Sequence, residues 1–69
     1  MATFKQYAVF ELAKDISPGI TKGMHGVILE VWSTDAYEVE FVKEDGTNYE
    51  FEGTSTFTID SSFIGNILH

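Results

Sequence analysis

Apolar and acidic side chains alternate one by one in the stretch YEVEF, residues 37–41, and the sequence VKEDG follows directly. Strict alternation places the tyrosine, valine and phenylalanine on one face of an extended strand, and Glu38 and Glu40 on the other. An Asp-Gly pair after such a strand is a strong signal for a β-hairpin turn. The stretch therefore predicts a strand with one buried and one acidic face, after which the chain folds back.

The apolar pattern favours one register for this hairpin. A two-residue turn at the Asp-Gly pair would set Glu40 opposite Phe51 and so mix the two faces. A three-residue loop over residues 44–46 instead sets Phe41 opposite Tyr49, with the loop glycine in a left-handed conformation. We therefore predict the three-residue loop. In that register the outward glutamates face one another in two pairs, Glu40 with Glu50 and Glu38 with Glu52.

Other short apolar stretches, separated by glycine, proline and aspartate, predict further strands. Besides the strand at residues 36–43, they lie at residues 6–12, 26–32, 56–59 and 64–68. A long connection over residues 13–25 follows the first strand, and Asp60 begins a single 3₁₀ turn over residues 60–63. The predicted fold is therefore all-β, a small SH3-like barrel of five to six short antiparallel strands, in one domain over residues 1–69.

The strand at residues 26–32 also alternates. Its alternation predicts that Val27 and its two neighbours on that face point to the core, and that Ile28 points outward together with Glu30 and Trp32. Because core residues must oppose core residues across a hairpin, a three- or five-residue loop is expected between this strand and the next. Seven further aromatic residues are assigned to the core: Phe10, Tyr37, Phe41, Tyr49, Phe51, Phe57 and Phe63.

The glycines at positions 19, 23 and 26 precede a strand rather than a helix. A phosphate cradle needs backbone N–H groups that converge at a helix N-terminus, and this spacing matches neither a dinucleotide-binding fingerprint nor a P-loop. We predict instead that Gly23 and Gly26 adopt positive φ angles or allow a close backbone approach at the strand entry.

Eleven acidic residues against four basic ones give a formal net charge of −7. Repulsion from phosphate groups argues against nucleic acid or an anionic membrane as a partner. The chain has no cysteine, which favours a reducing cytoplasm, and we expect neither a signal peptide nor a membrane-spanning segment. A basic protein is the partner class that this charge permits.

Three strings resemble the small bacterial proteins grouped as domain of unknown function 4926: YAVFELAKDISPGITKGMHGVILEV, YEVEFVKEDG and TIDSSFIGNIL. The YEVEF string with its Asp-Gly turn is fairly specific, whereas the Gly-x-x-Gly-Val entry is shared with many SH3-like domains. The resemblance implies an SH3-like barrel, and it does not imply a reaction, because the family is uncharacterised. Because such proteins are often encoded beside other bacterial proteins, toxins among them, it also implies a protein partner. The segment EFEGTSTFTID is longer than the family pattern, which leaves the placement of the last strands open.

No residue set predicts catalysis or metal binding. His25 and His69 are far apart in the sequence, and a metal site needs three or four ligands at defined spacing. The serines lack a nucleophile elbow and a base partner, and the carboxylates alternate outward instead of sharing an apolar pocket. We therefore expect no enzyme, no cofactor and no metal.

The outward carboxylates and one tryptophan are the candidate binding residues: Trp32, Glu30, Glu38, Glu40, Glu50 and Glu52. Such a face is either a solvated surface that resists aggregation or a docking surface for a basic protein. In the second case the chain is a non-enzymatic protein-binding module, and an immunity- or antitoxin-type inhibitor is one form of it. The alternative is an accessory domain that self-associates, as a homo-oligomer, through apolar surface near residues 13–25 and the last strand.

Overall fold

The computed structural model describes residues 4–43, 45–50 and 53–68. Its five strands are β1 (Val9–Leu12), β2 (His25–Ser33), β3 (Ala36–Phe41), β4 (Thr56–Ile59) and β5 (Ile64–Ile67). They form one antiparallel sheet in the order β4-β3-β2-β1-β5, and the described residues contain no α-helix. The predicted all-β class is confirmed. Closure of the sheet into an SH3-like barrel stays a prediction, since β4 and β5 are the edges of the described sheet.

The hairpin between β2 and β3 differs from the prediction. Its loop has two residues, Thr34 and Asp35, because Ser33 pairs with Ala36. The register shifts twice along the hairpin, between Ile28 and Glu30 and again between Val31 and Ser33, so that β2 carries two more residues than β3 over the paired length. Each shift acts as a β-bulge, which changes the parity that the loop-length argument assumed.

The first of these bulges also changes the faces of β2. Ile28 is fully buried opposite Val39, and Val27 lies outward opposite Glu40. The predicted orientations of Val27 and Ile28 are therefore wrong. Beyond the bulge, Glu30 is exposed and pairs with Glu38, as the predicted outward face requires.

The hairpin after β3 has the register of the predicted three-residue loop, whose first residue, Glu44, lies outside the described residues. Lys43 N–H donates to the Thr47 carbonyl at 2.7 Å, Tyr49 N–H donates to the Phe41 carbonyl at 2.9 Å, and Gly46 has a φ of 90°. This register does not continue toward Glu38, because β4 takes the position beside β3, with Thr56 opposite Glu40 and Thr58 opposite Glu38.

The two predicted glutamate pairs across this hairpin are accordingly wrong. The positions expected for Glu50 and Glu52 are filled by threonines of β4, and Glu50 lies in the irregular segment after the hairpin. Phe51 and Glu52 lie outside the described residues.

The core lies on the face of the sheet opposite the glutamates. Among the described residues, the buried hydrophobic ones are Phe10, Leu12, Ile20, Ile28, Tyr37, Val39, Phe41, Ile59 and Ile64. The rings of Phe10 and Phe41 meet edge to face, with centroids 5.9 Å apart, a geometry that stabilises beyond the area it buries. Of the other aromatics assigned to the core, Tyr49, Phe57 and Phe63 are partly buried against this cluster.

The two predicted roles of glycine at the entry to β2 are confirmed. Gly23 has a φ of 96°, a left-handed conformation, and its N–H donates to the Leu12 carbonyl at 2.8 Å. Gly26 has no room for a side chain, because a Cβ there would lie 2.7 Å from Cζ of Phe10. The glycines turn the chain and let it pass over the aromatic core.

The predicted 3₁₀ turn forms at Ser61–Phe63, with Asp60 as its N-cap. The Asp60 carboxylate accepts hydrogen bonds from the N–H and hydroxyl groups of Ser62, and these bonds lower the pKa of Asp60. A second carboxylate, Asp35 in the β2–β3 loop, accepts the Ser61 hydroxyl at 2.8 Å. The turn therefore connects the start of β5 to the loop between β2 and β3.

Candidate functional site

Trp32 is the most exposed large hydrophobic side chain on β2, at 62%. It lies at the second bulge, between the paired residues Val31 and Ser33, and bulges commonly redirect a side chain. Its indole Nε1 donates to Oε1 of Glu38 at 3.3 Å. The ring is thus held over the outer face of β3 instead of packing into the core.

The Glu38 carboxylate is held from two sides. Besides the indole, the hydroxyl of Thr58 on β4 donates to the same oxygen, Oε1, at 3.2 Å. Among the described residues, no donor is assigned to the other oxygen, Oε2. Because neighbouring strands fix the side chain, little rotamer entropy remains to be lost when a partner's cationic group approaches.

Glu40 lies two residues further along β3 and is also held in place. Its Oε1 accepts a hydrogen bond from the Asn48 side-chain amide at 3.0 Å. We define the acidic face as Trp32, Glu30, Glu38 and Glu40. The structure brings these four residues of the predicted set together on the outer side of β2 and β3.

The acidic face places like charges directly opposite each other. Glu30 and Glu38 are paired across β2 and β3, and such a like-charge pair costs roughly 0.2–1 kcal/mol relative to a neutral pair. On the other side of β3, Glu38 and Glu40 face threonines of β4. The repulsion between carboxylates on this face is therefore smaller than the two predicted glutamate pairs imply. The like-charge pair that remains includes Glu30, which lies on the same strand as Trp32.

A groove lined by β1, β2 and the hairpin after β3 was missed by the sequence prediction. Its volume is about 530 Å³, and its walls include five half-buried apolar residues: Val9, Met24, Val27, Val42 and Tyr49. Lys43 lies at its rim with Nζ 5.2 Å from the centroid of the Tyr49 ring, a cation–π contact. We call this feature the apolar groove. Alternation along β2 does not predict this groove, because it places Val27 in the core, whereas the bulge in β2 leaves Val27 outward.

His25 is exposed at the start of β2 and pairs with Glu11 on β1. In the part of the chain that the structure describes, no three histidine, aspartate or glutamate side chains form a group that could hold a metal ion. The same residues include no helix with the length and hydropathy that a membrane crossing needs. His69 lies outside the described residues.

The comparisons with known proteins give one match. The model of the family described as domain of unknown function (DUF4926) matches residues 6–59. This range contains the glycine run, the YEVEF strand and the Asp-Gly turn, and it ends where β4 ends. No curated protein and no solved structure matches the chain. Because the match covers most of the sequence, the chain belongs to this family.

Proposed function

We propose that this member of the DUF4926 family is a non-enzymatic module that binds a basic protein through its acidic face. The observation that carries the proposal is the arrangement around Trp32, whose exposed indole donates to Glu38 beside Glu30 and Glu40. Exposed tryptophans commonly act as hot spots in protein interfaces. Carboxylates around such a residue favour a cationic partner and speed its association.

Glu50 remains a secondary candidate for the same interface, since it is exposed and follows the hairpin that holds Glu40 through Asn48. Glu52, which lies outside the described residues, is a further candidate from the sequence. The chain's formal net charge of −7 adds a long-range attraction for a basic partner. The absence of cysteine fits a site of action in a reducing cytoplasm.

An immunity or antitoxin role is the specific form that we propose for this binding. A nuclease or similar toxin has a basic cleft for nucleic acid, and a rigid set of carboxylates can occupy such a cleft in place of phosphates. In this role the protein inhibits its partner by blocking the cleft and takes no part in chemistry.

Capture of a partner from a lysate of the source cell tests the proposal. The immobilised wild type and Trp32→Ala are compared at about 0.1 M and about 1 M salt, between which the screening length falls from roughly 10 to 3 Å. We expect a basic protein that the wild type retains at low salt only and that Trp32→Ala loses. A partner that is neutral or acidic and indifferent to salt would contradict the proposal.

A second candidate function is self-association through β5. Ile67 and Leu68 are 45% and 39% exposed, at the edge of the sheet that has no neighbouring strand among the described residues. An apolar sheet edge can pair with a second copy of the chain. In the connection over residues 13–25, by contrast, Ile20 is buried, so β5 offers the more exposed apolar surface.

The molar mass in solution separates the two candidates. Self-association through β5 predicts a dimer in light scattering that persists at high salt and that Ile67→Lys converts to monomer. A monomer at every concentration would leave the acidic face as the proposed interface.

A further inference from the structure

The apolar groove adjoins the acidic face through Val27, which lies on the outward side of β2. Val27 in the groove lies directly opposite Glu40 across β2 and β3. Val42, also in the groove, forms a bridge with Asn48, whose side chain donates to Glu40. Glu40 is therefore at the border of the two features, and a partner that covers it also reaches the groove.

The size and lining of the groove suit apolar side chains. About 530 Å³ falls within the range of roughly 300–1,000 Å³ that small binding sites occupy. The half-buried valines and Tyr49 give it apolar walls. Lys43 keeps its positive charge in its contact with the Tyr49 ring, but the three carboxylates of the acidic face outnumber it and favour a basic partner.

We propose that the groove and the acidic face together bind one amphipathic basic segment of the partner. Its basic side chains pair with Glu38 and Glu40, and an apolar side chain beside them enters the groove. The inference rests on the proposed function for the sign of the partner's charge. The groove adds a second requirement, an apolar side chain next to the basic ones. Charge alone brings the partner to the face, and burial of its apolar side chain fixes where the segment lies.

The two carboxylates set the spacing that the segment needs. Glu38 and Glu40 lie two residues apart on β3, which is about 7 Å at the rise of a strand. Val27 is level with Glu40, so the apolar side chain must lie next to the basic residue that pairs with Glu40. A uniformly basic segment fills only the acidic part of this surface.

Two short synthetic peptides of equal length and equal arginine content test the inference. One carries leucines between the arginines, and the other carries serines at the same positions. We expect the leucine peptide to bind about tenfold more tightly or better, because a Leu side chain leaves water. We also expect it to shift the backbone amide resonances of Val27, Val42 and Tyr49 together with those of Glu38 and Glu40.

The double variant Val27→Thr, Val42→Thr makes the groove more polar while keeping the branched shape that strands favour. It is expected to remove the advantage of the leucine peptide and to leave the affinity for the serine peptide within about twofold. The control Tyr7→Asn removes an exposed aromatic side chain that does not line the groove, at a positive φ that asparagine also adopts, and it should change neither affinity. Far-UV circular dichroism checks that all variants fold.

The outcomes distinguish this inference from the proposed function. Equal affinities for the two peptides, with shifts confined to the acidic face, would overturn the role of the groove and leave the acidic face as the interface. If neither peptide binds at low salt, the proposed function itself is contradicted.

Discussion

Glu38 is the residue at which the acidic face is organised. Its Oε1 accepts hydrogen bonds from Trp32 on one neighbouring strand and from Thr58 on the other. It also faces Glu30 directly. A carboxylate that served only for solubility would not need two donors to fix its orientation. This arrangement is why the proposed function depends on Glu38 and Trp32 more than on the total charge.

Gly26 is the residue whose side-chain position is most restricted by the core. A Cβ at this position would lie 2.7 Å from Cζ of Phe10 and 3.0 Å from Cδ1 of Phe41. We predict that Gly26→Ala lowers the free energy of unfolding by about 1–3 kcal/mol, the usual cost of overpacking a core. The measurement is urea denaturation. Gly19→Ala is the control, because nothing lies within 4 Å of a Cβ there, and it should change stability by less than about 0.5 kcal/mol.

Equal destabilisation by the two glycine substitutions would contradict the close approach of Gly26 to the aromatic rings. The sequence predicted a special role at this position but not its cause. A glycine before a strand is explained either by a positive φ or by the close approach of other atoms. At Gly26 the second explanation holds, because Phe10 lies opposite it across β1 and β2.

At the scale of elements, β2 and β3 carry a like-charge pair that a single substitution can relieve. We predict that Glu30→Lys raises the free energy of unfolding by up to about 1 kcal/mol, because Glu38 then faces an opposite charge. Glu50→Lys makes the same change in net charge without a strand partner, and it should stabilise less. Thermal unfolding at low salt measures both. The same Glu30→Lys variant should bind the basic partner more weakly.

If Glu30→Lys gains no more stability than Glu50→Lys, the register between β2 and β3 at this point is contradicted. If it gains stability and keeps its affinity, the glutamate pair has no part in binding. A gain in stability with a loss of affinity is the trade-off expected of a residue kept for function.

The 3₁₀ turn gives a prediction about pH. Hydrogen bonds from the Ser62 hydroxyl and N–H groups lower the pKa of Asp60 below its ordinary value of 3.8. A carboxyl group with a lowered pKa in the folded state stabilises that state above its unfolded pKa, and the contribution disappears as the pH falls through the folded pKa. Asp60→Asn should therefore make the midpoint of urea denaturation fall less between neutral pH and pH values below 3.8.

Asp15→Asn serves as the control for that experiment, since Asp15 is a carboxylate outside the turn that accepts the Lys22 N–H at 2.8 Å. An acid dependence of Asp60→Asn identical to that of the wild type would show that the turn does not stabilise the ionised carboxylate.

Much of the secondary structure could be predicted from the sequence. The strand β4, the 3₁₀ turn with its Asp60 cap and the three-residue loop before Thr47 follow from local patterns and turn chemistry. The bulges in β2 could not be predicted, because they depend on how two strands pair and not on either strand alone. For the same reason the sequence placed Val27 in the core and missed the apolar groove.

The candidate site was predicted in part. Glu38 and Glu40 follow directly from alternation on β3, and Glu30 and Trp32 lie where the outward face requires. Glu50 was placed opposite Glu40 because the hairpin register was continued too far. The competing partner for β3 is β4, a strand that lies well beyond Glu50 in the sequence.

At the scale of the whole molecule, the charge and the core lie on opposite sides of one sheet. The buried cluster fills one face, while the other carries the acidic face and the outward valines of the apolar groove. The chain's formal net charge of −7 attracts any basic protein at low salt. Net charge alone therefore does not identify the interface. If the acidic face is the specific interface, two variants of equal net charge differ in affinity for the partner according to where the substitution lies.

The affinity of the captured basic partner for two charge-matched variants tests this account most directly. Glu38→Gln and Glu11→Gln each remove one negative charge, and each amide oxygen can still accept the native hydrogen bonds, from Trp32 and Thr58 in one case and from Asn66 in the other. The account predicts that Glu38→Gln weakens binding about tenfold or more, and that Glu11→Gln changes it less than about threefold. Equal weakening by both variants would contradict the account, because net charge and not the acidic face would then determine binding.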